Sequence, residues 1–162
     1  MELIFKIKKT KDCSLTEINN FFELAKKAEQ VDENGLLNRI NNSELLGFCY
    51  SNEQLVGISA IKNPNENYKK RIFRKASIEE EAKNFRFELG YSFTEEEYRG
   101  KRISFNINRK LVDKILSDNI YATTANQGMI KILRKIGFHK IGKSYKGNHN
   151  TDEIQIYGIV KR

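Results

Sequence analysis

Residues 85–116, FRFELGYSFTEEEYRGKRISFNINRKLVDKIL, change their hydrophobic period once, and that change restricts the fold more than any other feature of the chain. FRFELGYSFT (85–94) is aromatic-rich and alternates at period two, as a strand does. From Ile103 the apolar residues Ile103, Ile107, Leu111 and Ile115 recur at helical spacing, with Val112 and Leu116 widening the stripe, which predicts a helix of about four turns. A strand feeding a turn and then a helix leaves unpaired backbone N–H groups at the helix start, and the helix dipole makes them attractive to anions. Arg99, Lys101 and Arg102 add cationic side chains at that turn, and Gly100 opens backbone geometry closed to other residues. A Lys/Arg run with one glycine also suits a solvated face, so the local pattern alone supports a phosphate cradle and a charged surface equally.

The flanking sequence fills in the architecture. ELIFKIK (2–8) reads as a strand, SLTEINNFFELAKKAEQ (14–30) as a helix with Ser14 or Thr16 at its cap, and residues 33–41 as a second, short helix. LLGFCY (45–50) and LVGISAI (55–61) flank SNEQ as a hairpin. Residues 63–84 hold the one proline and dense charge of both signs, which predicts an exposed excursion with a helical turn near Tyr68 to Lys75. NIYATT (119–124) is a further strand. NQGMIKILRKIGF is a helix with Ile130, Leu133 and Ile136 on one side, closed by Gly137, and a last strand pair follows. Antiparallel strands first and a strand–helix–strand crossover later predict a mixed α/β sheet with helices on both faces.

With 162 residues and 39% hydrophobic content, the chain suits one domain, residues 1–162, and is short for two. No apolar run reaches membrane-spanning length and the N-terminus lacks a signal-peptide core, so the expectation is a soluble, cytoplasmic protein. Cys13 and Cys49 have no metal-ligand spacing and no histidine cluster beside them, which indicates reduced thiols and no metal site. The net charge of +8 suits a polyanionic partner without choosing among nucleic acid, a membrane surface and a phosphorylated ligand. A bias toward Lys, Asn and Ile can equally reflect coding composition.

Two linked blocks decide more than the charge does. FELGYSFTEEEYRGKRISFNINRKLVDKI resembles the central strand, pyrophosphate loop and following helix of the GCN5-related N-acetyltransferases (GNAT family), and ATTANQGMIKILRKIGF resembles that family's fifth strand and next helix. The resemblance implies a GNAT-like fold with splayed middle strands in a central mixed sheet. It also implies acetyl-CoA as co-substrate and direct transfer of the acetyl group to a primary amine of a small molecule or peptide. It assigns Arg99, Gly100, Lys101, Arg102, Ile103 and Ser104 to the pyrophosphate, and the backbone of Ser92, Phe93 and Thr94 to the pantetheine chain and the thioester oxygen. Asn126 is assigned to the pantetheine arm, although it also suits a plain helix N-cap. The chain departs from the family at Arg102, where a glycine is preferred, at Ser104, where glycine or alanine is usual, and at Leu133, which aligns with a tyrosine proposed to protonate the leaving thiolate.

Acetyl transfer needs a neutral amine, an activated carbonyl and a route for the thiolate to leave. Glu88 is the carboxylate embedded in the apolar strand, on the side of Thr94 by parity, and is the candidate general base acting through a water; pairing with Arg86 is the bland reading. Tyr145 and Tyr157 on the last strands are candidates to replace the missing acid or to line the acceptor pocket, with packing as the bland reading. His139 and His149 read as exposed loop histidines. Phe21, Phe22, Glu23, Asn67 and Tyr68 occupy acceptor-side elements without a readable pattern. Two other classes remain: a CoA-binding module of the same fold without catalysis, and a basic nucleic-acid binder, which the second block disfavours. A homodimer is an open expectation.

Overall fold

In chain order the strands are β1 (Leu3–Lys9), β2 (Leu45–Ser51), β3 (Gln54–Lys62), β4 (Phe87–Thr94), β5 (Ile120–Thr124), β6 (His139–Lys146) and β7 (Glu153–Ile159). The helices are α1 (Leu15–Ala25), α2 (Leu36–Asn41), α3 (Glu66–Lys75), α4 (Ile103–Lys114) and α5 (Gln127–Ile136). The structure, a computed structural model, describes residues 2–28, 32–147 and 152–162. Strand neighbours run β1-β2-β3-β4-β5-β7-β6, antiparallel at β1–β2, β2–β3, β5–β7 and β7–β6 and parallel at β4–β5, so the fold is mixed α/β. Two units divide the chain, Met1–Lys62 with Leu89–Ile115, and Asn63–Glu88 with Leu116–Arg162. β4 contributes to both, Phe87 and Glu88 to the second unit and Leu89 onward to the first.

In the first unit, period-two patterning sends alternate side chains to opposite faces, and each face is covered. Ile18, Phe21 and Leu24 of α1, with Leu36 and Ile40 of α2, pack on Leu46, Phe48, Ile58 and Ala60. α1 starts in a capping box, Ser14 Oγ accepting from the Glu17 N–H while the Glu17 carboxylate accepts from the Ser14 N–H. The other face is flattened by Gly47 and Gly57, and α4 sits on it. A Cβ at either glycine would lie 2.6 Å from Cγ2 of Ile107 or Ile103, so only glycine admits the helix this close. α4 ends two residues short of the stripe read from its sequence: Ile115 leaves the helix at ψ 113°, and Leu116 is 82% exposed instead of widening the stripe. The hairpin is also tighter than SNEQ suggests. Ser51 pairs with Gln54, leaving Asn52 and Glu53 as a two-residue turn at φ 49° and 68°, the twist an antiparallel pair prefers, reached without glycine.

The second unit corrects the exposed excursion expected for residues 63–84. Asn65 caps a ten-residue helix, α3, through the Tyr68 N–H, and Ile72 and Phe73 are buried with Ala82, Phe85, Tyr121 and Ile156. Lys69 is buried as well, because its ammonium donates to the Phe85 carbonyl at 2.6 Å while Glu66 lies 3.3 Å away. α5 starts at Asn126 and closes with Gly137 at φ 119°, the Phe138 N–H donating to the Leu133 carbonyl. Among the described residues no helix is long and apolar enough to cross a membrane, and no group of three or more His, Cys, Asp or Glu is placed to hold a metal.

Candidate functional site

The cradle residues lie in the first unit, at the junction of β4 and α4. A 3₁₀ turn at Glu96–Tyr98 delivers the chain to Arg99, then Gly100 at φ 82° and Arg102 at φ 62° turn it into the helix. Arg102 is thus left-handed in spite of its side chain. The position keeps the backbone conformation for which the family prefers glycine, and an arginine holds it at a cost of about 1–2 kcal/mol. A Cβ on Gly100 would meet nothing within 4 Å, so that position opens into space and not against a wall. Among the described residues, the backbone N–H groups of Gly100, Lys101, Arg102, Ile103 and Ser104 donate to no backbone carbonyl. No side chain caps α4 and no acid stands in its first turn, whereas α1, α3 and α5 each have a side-chain cap. A helix start left open, beside exposed Arg99, Lys101 and Arg102, has the charge and donors an anion requires.

Each neighbour of the cradle has a definite place. The Arg99 guanidinium donates from Nε to the Thr94 carbonyl at 3.1 Å and lies 5.7 Å from the Phe93 ring, so the end of β4 and the loop are tied together. The Arg102 guanidinium stacks over Phe105 at 4.8 Å, and its carbonyl accepts from both the N–H and Nδ2 of Asn106. Ile103 is buried beside Gly57, which leaves only its backbone for a ligand. The hydroxyls of Ser92 and Ser104 lie 3.0 Å apart, both within bonding range of Asn108 Nδ2 at 3.1 and 3.2 Å. Thr94 Oγ1 is buried without a partner.

The other candidates lie in the second unit. Glu88 is 4% exposed, and Tyr121 donates its hydroxyl to Glu88 Oε1 at 3.4 Å. Arg86, the bland partner for Glu88, pairs instead with Asp118 at 3.2 Å. Between Glu88 and Thr94, Tyr91 takes φ 59°, so the regular alternation on which the parity argument relies is interrupted inside β4. Burial first, and the negative charge of Glu88 next, push the phenols of Tyr121 and Tyr145 well above the ordinary tyrosine range. Both phenols are therefore neutral hydroxyls at ordinary pH. Tyr157 is buried too, but its hydroxyl donates to Gln155 Oε1 at 2.7 Å and faces Arg134. Asn126 Oδ1 accepts from the Met129 N–H at 2.9 Å, so the N-cap reading is realised. His139 is exposed as expected but is the first residue of β6 and not a loop residue, and His149 lies outside the described residues.

Three residues at these places were not singled out in the sequence. Asn108 and Ser59 form a buried polar core under the cradle; a polar residue inside the apolar stripe of a helix was the available signal. Tyr121 sits in the plain strand NIYATT and gave none.

No protein-family profile matches the chain, and no curated protein sequence matches it. Solved structures do. A GNAT-family acetyltransferase from Streptococcus agalactiae superposes at TM-score 0.66 and 13% identity, over 98% of this chain and 96% of that one. An acyl-CoA N-acyltransferase from Pseudomonas aeruginosa gives 0.65 and 13%, over 99% and 100%. Arabidopsis thaliana NAA60 in complex with a bisubstrate analogue gives 0.69 and 11%, over 98% and 99%. The fold of this chain is therefore that of the GCN5-related N-acetyltransferases, as the two sequence blocks implied.

Proposed function

We propose that residues 1–162 act as a single acetyl-CoA-dependent N-acetyltransferase domain, with a primary amine of a small molecule or peptide as acceptor. The observation that carries this is the open start of α4: unpaired N–H groups, two left-handed residues and three exposed cations, in a fold that solved acyltransferases share. These residues fit a pyrophosphate, since donors and positive charge are present and no side chain competes for them. Residues 99–104 would hold that group, with Ser92 to Thr94 along the pantetheine. Asn126 can add a contact from its amide nitrogen while its oxygen caps α5. When bound, acetyl-CoA supplies an acyl group already activated as a thioester.

Glu88 is the base. Its carboxylate is buried and accepts a hydrogen bond from Tyr121, which orients it to take the amine proton through a water. The neutral amine then attacks the thioester carbonyl directly, and a thiolate departs. Tyr145 keeps its proton under these conditions. Burial first and the charge of Glu88 next push its phenol up, so a neutral hydroxyl is at hand to donate a hydrogen bond to the departing thiolate, with Tyr157 and water as the other sources of its proton. The buried, apolar Leu133 favours a second reading, a CoA-binding module without turnover.

Two measurements separate these readings. Isothermal titration with acetyl-CoA is expected to show binding that Arg99→Glu weakens; no binding by the native chain sinks both. Thiol release over a panel of primary amines then decides, since turnover eliminates the silent module and its complete absence eliminates the transferase.

A further inference from the structure

We propose that Asn108 is a positioning residue for phosphate binding, holding the first turn of α4 from inside the core so that the open N–H groups above it keep their arrangement. This rests on the reading that the α4 start takes the pyrophosphate of CoA. Asn108 is fully buried. Its Oδ1 accepts from the Ser59 hydroxyl at 2.6 Å, and its Nδ2 lies 2.8 Å from the Ser104 carbonyl, 3.1 Å from Ser92 Oγ and 3.2 Å from Ser104 Oγ. Ser59 also reaches the Gly90 carbonyl at 3.2 Å. One side chain thus joins β3 through Ser59, β4 through Ser92, and the first turn of α4 through Ser104.

No other residue type fits that set of partners. An aspartate keeps the acceptor for Ser59 but loses both N–H donors and buries a charge; a leucine fills the volume but removes acceptor and donors alike, leaving Ser59 to the Gly90 carbonyl and Ser92 and Ser104 to each other. Gly47 and Gly57 already seat the apolar stripe of α4, so contact with the sheet does not require the amide. Packing of that kind fixes how close the helix lies and resists sliding or rotation only weakly. The first turn has no side-chain cap to hold it from outside, so directional bonds from beneath set where its donors stand.

The experiment compares two probes on the native chain and on Asn108→Leu. Titration calorimetry measures CoA, and amide chemical-shift titration measures pantetheine, which lacks every phosphate. The expected result is an about tenfold loss of CoA affinity with pantetheine unchanged within about twofold. Equal losses for both probes, or none for either, overturn the proposal. If the native chain itself fails to bind CoA, the functional reading falls and this one with it, a result distinct from a defect confined to the variant. Should Asn108→Leu not fold by circular dichroism, Ser59→Ala removes the partner of Oδ1 together with the longer reach of that hydroxyl to the Gly90 carbonyl. A loss of about threefold for CoA alone then supports the proposal, and native affinity overturns it.

Discussion

The start of α4 in the first unit and the surroundings of Glu88 in the second are both polar, and they treat water in opposite ways. At the cradle the charges are exposed and the backbone donors are unpaired; around Glu88 the carboxylate and the phenols are buried, and the phenols are kept neutral. An exposed cluster of like charges is repulsive until an anion arrives, which suits it to capture. A buried carboxylate that accepts from a phenol is held in a fixed orientation, which suits it to taking a proton. On the proposed reading, binding belongs to the first place and chemistry to the second.

The sharpest break of that assignment is Glu88→Gln, which should lower turnover about 10²–10⁴-fold while the affinity for acetyl-CoA stays within about twofold. Thiol-release kinetics paired with calorimetry measure both, and a variant that loses binding instead would reverse the roles. Lys101→Glu should do the opposite, raising the KM for acetyl-CoA about tenfold at unchanged kcat, with the deficit larger at low ionic strength. Alkaline titration separates the regions again. In the unfolded chain the phenols of Tyr121 and Tyr145 ionise near 10.0 and in the fold well above it, so their contribution is complete below that pH. Above it the unfolded state binds fewer protons and stability falls, by up to about 1.4 kcal/mol per pH unit for each tyrosine. Tyr121→Phe should remove one such share of the slope in melting curves between about pH 10 and 11; an unchanged slope would contradict the neutral cluster. The smallest effect belongs to Arg102→Gly, which relieves the left-handed strain and should stabilise the fold by up to about 1 kcal/mol in urea titration.

The strand–turn–helix core was legible because its hydrophobic period switches from two to about four within a few residues, which leaves one order of elements. α3 was legible only as a helical turn near Tyr68 to Lys75, and its burial was not, since its buried side is narrow and Lys69, a charged residue, belongs to it by virtue of a carbonyl that sequence does not reveal. The positive φ at Tyr91 was hidden, because a tyrosine in an aromatic, alternating strand gives no sign of one, whereas Arg102 stood out as a side chain where glycine is preferred. At the candidate site, Arg99 to Ser104 and Glu88 were visible as residue types in a recognisable order. Asn108, Ser59 and Tyr121 depend on which side chains meet across the sheet, and that is a property of packing.

Every arginine codon lies a single nucleotide from a glycine codon, so relief of the strain at Arg102 is within reach of one mutation in any lineage carrying this chain. Populations sample that change continually. The frequency of arginine against glycine at position 102 among natural variants therefore reads out, without any enzyme assay, whether the guanidinium over Phe105 returns more than its backbone costs.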